Sequence, residues 1–306
     1  MLPAASSLSA QGTERAALVA YVDSTTSLME HYSIKRDEVD WPSLRRDARA
    51  RVDTAAQPDT GVAYAAVREA LKRLGDHHSR LLDPTQTRRM NASDPSSAPQ
   101  NEAPEVRPIS GRLGYVRIPP YDGLDSVLIQ RYAVSLQDRI RAIAKQARCG
   151  WVVDLRGNTG GNMWPMLAGI GPLLGDGLAG RFVRVDTTFT WGYSEGYAWE
   201  SSDTIVHVPN PLVIAPAPWV AVLTDSNTAS SGEVIALSFR GRPHTRSFGE
   251  QTAGLTTGNQ DYPLPDGSIL FLTVSVEADR TGRRYGGPVL PDSALAPAEA
   301  LPAATS

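Results

Sequence analysis

Two serines, Ser230 and Ser231, stand in the segment TDSNTASSGEVIALSFR, residues 224–240, followed at once by Gly232 and Glu233. A serine at the mouth of a strand-to-helix turn does one of two jobs. It caps the helix by accepting a free backbone N–H, or its hydroxyl attacks a substrate carbonyl. A second stretch, GNTGGN, residues 157–162, follows the apolar run WVVDLR and packs three glycines into five residues. Such a loop turns sharply and exposes backbone N–H groups. It fits neither the phosphate-loop nor the dinucleotide fingerprint, and taken alone it is only a turn. A third stretch, LGDHHSRLLDP, residues 74–84, carries His77 and His78. A neutral imidazole is the usual base for a serine hydroxyl. The same pair also suits a surface turn, while a metal site would need spaced His, Cys or carboxylate partners that are missing here. Nucleophile, base and backbone donors together are the minimum for acyl transfer.

The elements that must position these residues show in the hydrophobic periodicity. Residues 13–81 read as helices. Tyr64, Val67, Leu71 and Leu74 recur at three- and four-residue steps, with Asp59 or Thr60 as the cap and Gly75 as the stop. An earlier helix is anchored by Trp41, with Pro42 in its first turn. Residues 83–108 are rich in Pro, Ser, Asn and Asp and read as a linker or loop. Beyond them strands and helices alternate. RLGYVRIPP, GWVVDLR, WVAVLTD and SILFLTVSVEA are strands. Residues 126–147 form a helix with Ile129, Tyr132, Leu136, Ile140 and Ile143 on one face, and a second helix after Ser230 is closed by Gly241. The expected organisation is an N-terminal helical subdomain (1–82), a linker (83–108) and an α/β core (109–306), α/β (α+β) in class. In open α/β sheets, sites collect beyond the carboxyl ends of the strands, where both the glycine loop and Ser230 fall.

The 306 residues are 41% hydrophobic and 21% charged, with a net charge of −3 and both signs interleaved. That composition excludes a disordered chain. The absence of a long basic tract argues against nucleic acid or an acidic membrane surface as partner. Cys149 is the only cysteine, so no intrachain disulfide forms. No integral membrane span is expected, because the apolar stretch 212–223 is short and broken by Pro216 and Pro218. The opening MLPAASSLSAQG lacks the basic start and apolar run of a signal peptide. It suits either a cytosolic start or a trimmed precursor.

Together these pieces resemble the tail-specific (C-terminal processing) serine peptidases and their tricorn-core and retinoid-binding-module relatives. DLRGNTGG is similar to that family's DLR-x-N-x-GG signature, NTASSGE to its nucleophile turn, GEQTAG to its GE-x-T-x-G segment, and LGDHHS to its L-x-D-x-H-S piece; LPDGS and PVLPD follow in family order. The resemblance implies a core of the tail-specific protease and crotonase-like type, hydrolysis of peptide bonds in a peptide or protein substrate, and no metal or organic cofactor. It implies Ser230 as nucleophile, an oxyanion hole from the backbone of Gly160, Gly161 and Ser231, and an extracytoplasmic (periplasmic or secreted) location. Glycines 160 and 161 are then expected to serve the rate through loop shape, with stability little affected by a Cβ at Gly161.

Two departures narrow the reading. Bacterial processing peptidases use a lysine just after GE-x-T-x-G, where this chain has Leu255; its only lysines are Lys35, Lys72 and Lys145. The tricorn-like branch uses a histidine instead, and His78 holds that place. The acid that would orient it is open among Asp76, Glu233, Glu277 and Asp279. The peptide-binding PDZ domain of processing peptidases, roughly ninety residues, does not fit within 83–108. A retinoid-binding-module-like ligand binder, or a hydrolase or acyltransferase acting on a non-peptide ester or amide, are the alternatives.

Overall fold

The structure is a computed structural model that describes residues 4–94 and 96–305. The chain divides into two compact units. One comprises residues up to 88 together with 259–274, the other 89–258 with 275 onward.

The first unit is built on α1 (Ala4–Tyr32), α2 (Trp41–Asp53) and α3 (Thr60–Leu74), followed by the short strand β1 (Arg80–Leu82) and the start of α4 (Pro84–Met90). Capping sets the helix ends. Asp40 accepts the Ser43 N–H at 3.1 Å and Asp59 that of Val62 at 2.9 Å, each satisfying a donor that the first turn leaves free. Gly75 ends α3 in the left-handed region, φ 71°, which a Cβ disfavours. Val67, Leu71 and Leu74 of α3 turn inward onto Val22, Met29, Trp41, Leu44 and Val52. Tyr64 is half-buried, its hydroxyl donating to Asp266 at 2.6 Å. Leu264, Leu270, Leu272 and Val274 complete this core. The stretch read as a linker holds α4 and enters the next strand at Glu105.

The second unit begins with β2 (Glu105–Ile109), β3 (Leu113–Arg117), α5 (Ser126–Ile143), β4 (Gly150–Asp154), α6 (Met163–Leu174), β5 (Gly177–Val183), β6 (Thr188–Ser194), β7 (Tyr197–Glu200) and β8 (Asp203–His207). It continues with β9 (Val220–Thr224), α7 (Ser231–Ser238) and β10 (Thr245–Gly249). The strands β11 (Thr257–Pro263) and β12 (Ile269–Asp279) each run across the division, and β13 (Ser293–Ala294) and α8 (Pro297–Thr305) close the chain. Its main sheet has the order β13-β10-β9-β4-β3-β2, parallel from β13 to β3 with β2 antiparallel at the edge. Alternate residues of β4 feed two layers. Trp151 and Val153 pack with Leu136 and Ile140 of α5, Met166, Leu167 and Ile170 of α6, and Ile235 of α7. Val152 packs the other way, with Tyr115, Leu223 and Ala300 of α8. Cover on both faces explains why GWVVD is apolar without alternation. The strands β5 to β8 form an antiparallel meander beside the second half of β12, and Trp191, Tyr193 and Ala198 from it join the core around α6.

Candidate active site

Asp154 and Thr224 end adjacent parallel strands, so the loops after β4 and β9 emerge side by side. The register brings the glycine loop against the Ser230 turn. Asn158 is the link. Its carbonyl accepts the Ala229 N–H at 2.9 Å, its Oδ1 accepts the Gly160 N–H at 2.9 Å, and its Nδ2 donates to the Ile118 carbonyl at 3.0 Å. Asn158 is fully buried. Sequence reasoning quoted it within a motif and gave it no role, since its work depends on which carbonyls lie within reach.

Ser230 has φ 52° and ψ −122°, a region that non-glycine residues avoid. The turn is held there from behind. Glu233 is fully buried and its carboxylate accepts four donors: the backbone N–H of Ser230 at 2.9 Å, of Gly254 at 2.9 Å and of Leu255 at 2.7 Å, and the Thr252 hydroxyl. The GEQTAG segment is therefore a cradle for this carboxylate. Burial pushes the Glu233 carboxyl up from its ordinary value, and the hydrogen bonds from Thr252, Gly254, Ser230 and Leu255 oppose that rise.

Of the three N–H groups expected to face an oxyanion, two remain open. The Gly160 N–H is taken by Asn158, which corrects its expected role as a donor. Among the described residues, the N–H groups of Gly161 and Ser231 meet no protein acceptor. The Ser231 hydroxyl donates to the Gly161 carbonyl at 2.5 Å, tying the two peptides together. Both glycines have positive φ, 104° and 101°. A Cβ on Gly160 would lie 2.8 Å from the Ser230 Cβ and 2.9 Å from the Ala229 carbonyl oxygen. A Cβ on Gly161 would strike the Tyr121 carbonyl oxygen, in the short bridge where the Asn162 N–H donates to Tyr121 at 2.6 Å. The expectation that Gly161→Ala spares stability is therefore overturned by backbone contact.

His78 belongs to the first unit. It follows His77, whose φ is 57°, and its own N–H donates to Asp76 Oδ1 at 2.9 Å while its carbonyl accepts from Asn259 at 3.2 Å. Asp76 also takes the Ser79 N–H at 2.8 Å and the Ser79 hydroxyl at 2.6 Å, so this carboxylate shapes the turn around His78. Burial lowers the His78 imidazole to about 4, with Arg80 pushing the same way and Asp76 opposing.

The other acids weighed for orienting His78 have separate environments. The Asp279 carboxylate staples its own turn through Thr281, Arg283 and Tyr285. Glu277 is buried with Oε2 lacking a hydrogen-bond partner, and burial together with the nearby Glu233 raises its carboxyl well above the ordinary value. Lys35 pairs with Glu38 at 2.9 Å and Lys72 with Glu69 at 3.4 Å.

The model of Peptidase family S41 matches residues 112–295, a span that includes the glycine loop, Ser230 and Glu233. The nisin-resistance protein of Lactococcus lactis subsp. lactis is 36% identical over 185 residues, covering 60% of this chain and 57% of that protein. The chloroplastic carboxyl-terminal-processing peptidase 1 of Arabidopsis thaliana is 26% identical over 165 residues, 53% of this chain and 29% of the relative. The chain thus spans little more than half of the first relative and under a third of the second. A solved lipoprotein structure from Streptococcus agalactiae superposes with a TM-score of 0.74 at 27% identity, covering 94% of each chain. With the family model matching more than half of its length, this chain belongs to peptidase family S41.

Proposed function

We propose that the protein is a serine-type endopeptidase in which Ser230 is the nucleophile and His78 the general base. The observation that carries the reading is the strained Ser230 at the carboxyl end of β9, with the free N–H groups of Gly161 and Ser231 beside it. Strain of this kind persists only where the surroundings over-determine it, and it clusters at reactive positions. In the proposed reaction His78 takes the Ser230 hydroxyl proton as the oxygen attacks the scissile carbonyl. The oxyanion is held by the N–H groups of Gly161 and Ser231, and His78 then protonates the leaving amine. An imidazole lowered to about 4 is neutral, and so able to accept a proton, throughout the neutral range. No lysine is close in sequence to Ser230, and Lys35 and Lys72 are engaged by carboxylates. The substrate is a peptide, taken without a PDZ module between residues 83 and 108. Likeness to a nisin-resistance protein makes nisin the first peptide to try, and that relative and the lipoprotein support an extracytoplasmic location.

A serine-directed fluorophosphonate tests the reading. Labelling of the native chain and not of Ser230→Ala, with peptide cleavage lost in the same variant, is the expected result. Absence of labelling would favour the ligand-binder alternative; labelling without cleavage of any peptide would favour the ester or non-peptide amide.

A further inference from the structure

The parallel strands of the second unit begin level with one another: Leu113 is in register with Gly150, and Val220 with both Trp151 and Thr245. The residues that precede them, Arg112, Cys149, Trp219 and His244, therefore line one end of the sheet. Ser230 and the glycine loop lie at the other, about 16 Å away for five-residue strands. Trp219 is 65% exposed. Its ring lies 4.5 Å from that of His244, and its Cβ sits beside Gly150. The loop leading to it runs from Asn210, whose carbonyl accepts from Arg141 at 2.6 Å, past Val213, which is 79% exposed, and the exposed Ala215, Pro216 and Ala217. Indole and aliphatic groups left in water at this density are unusual for a surface without a partner.

The charges around this apolar crest are mostly basic. Residues 139–153 contain Arg139, Arg141, Lys145 and Arg148 and no carboxylate. No Asp or Glu occurs in 107–121, 204–224 or 234–249 either, three more segments entering at this end. The end of α6, tied to Pro218 through Arg242, adds the exposed Asp176, whose Oδ1 accepts the N–H of the exposed Glu195, so the basic side chains outnumber the acids there without excluding them. Arg112, Lys145, Arg148 and His244 are exposed. Asp138, on the flank, is paired with Arg141. The net charge of −3 conceals this local excess.

We infer that this end of the sheet docks on an anionic lipid bilayer. Trp219 and the 213–217 crest occupy the boundary between headgroups and acyl chains, where indole rings partition. Arg112, Lys145 and Arg148 lie over the anionic headgroups, each adding electrostatic attraction. The reactive turn, at the opposite end of the same strands, then faces away from the lipid. The inference is independent of which serine attacks.

The test uses the full chain and vesicles of phosphatidylcholine with and without phosphatidylglycerol, read by co-sedimentation and by a polarity-sensitive dye on Cys149, the sole cysteine. Binding is expected only with phosphatidylglycerol, to weaken as salt screens the charges, and to blue-shift the dye. Trp219→Ala should weaken it roughly tenfold, and Lys145→Gln and Arg148→Gln about fivefold each. Thermal unfolding of all three variants should match the parent, since the side chains replaced are exposed. Equal binding to neutral vesicles, or indifference to the three substitutions, overturns the inference. So does self-association of the chain that Trp219→Ala abolishes, which would make the crest a contact between copies.

Discussion

The Glu233 carboxylate accepts the backbone N–H of Ser230 at 2.9 Å, and the same oxygen accepts the Leu255 N–H at 2.7 Å. A residue three places after the serine thus sets the serine's backbone. Glu233→Ala would strand three backbone donors and a hydroxyl in a buried site, and the expected loss is about 3–5 kcal/mol. Glu233→Gln should also fail, because its amide group presents donors to donors. Urea unfolding checks both. A Glu233→Gln variant as stable as the parent would show that the carboxylate is dispensable.

The two serines should separate kinetically. Ser230→Ala should abolish turnover, whereas Ser231→Ala keeps the backbone N–H and loses only its 2.5 Å bond to the Gly161 carbonyl. A fall in kcat within about tenfold is expected for Ser231→Ala. Equal loss in both variants would return the assignment to the start.

Glycine substitutions should grade by what the new Cβ meets. Gly157 has φ 72° and open space, so Gly157→Ala should cost about 1–2 kcal/mol through the left-handed backbone alone. Gly161→Ala adds a collision with the Tyr121 carbonyl and should cost a further 1–3 kcal/mol. Paired denaturation curves give the difference directly, and equal losses would mean that the segment at Tyr121 yields freely.

If His78 is the base, the rate at low substrate should be flat through neutrality and fall as pH drops through about 4, where the imidazole takes a proton. A fall centred near 6.5, the free value, would contradict the buried setting. Stability follows with a definite sign. Above about pH 6.5 the imidazole is neutral both folded and unfolded and contributes nothing. Between about 6.5 and 4 the unfolded chain takes up a proton that the folded one refuses, so stability declines, by on the order of 3 kcal/mol at most, and the decline stops below the folded value. His78→Gln should flatten that decline.

Glu277 titrates in the opposite sense. Its carboxyl is raised well above 4.5, so the folded state keeps a proton that the unfolded state has released. The stability this provides is complete below the unfolded value and is lost as pH rises toward the folded one. Glu277→Gln should remove the decline that sets in above the unfolded value while leaving acid stability nearly unchanged. Melting curves taken upward from pH 4 decide it, and an unchanged slope above the unfolded value would mean that Glu277 is ionised in the fold.

The turn at Ser230 and the glycine loop beside it were legible in the sequence because their features are local. A glycine pair after a buried strand and a serine three residues before a glutamate need only short-range geometry; α3 follows from its apolar spacing and caps, and α5 from its apolar spacing, although it ends at Ile143 and not at 147. The Asn158 role was hidden, since it depends on the carbonyls of Ile118 and a glutamate-held turn seventy residues onward. The meander from Gly177 to His207 was not foreseen. Its strands mix aromatic, Thr and Gly residues, and only pairing with β12 and packing on α6 decide them. The helix after Ser230 ends at Ser238, before Gly241, where the Phe239 N–H bonds back to Ala236.

The return of residues 259–274 to the first unit has a consequence for synthesis. Chains leave the ribosome amino end first, and domains tend to fold as they emerge. The three leading helices emerge long before Leu264, Leu270, Leu272 and Val274, which complete their core. Their apolar faces must wait, incompletely covered, while the strands and loops that carry Asn158 and Ser230 are made. A fragment ending near residue 90 would carry the same exposed faces permanently, and should aggregate unless a peptide spanning 259–274 is supplied in trans.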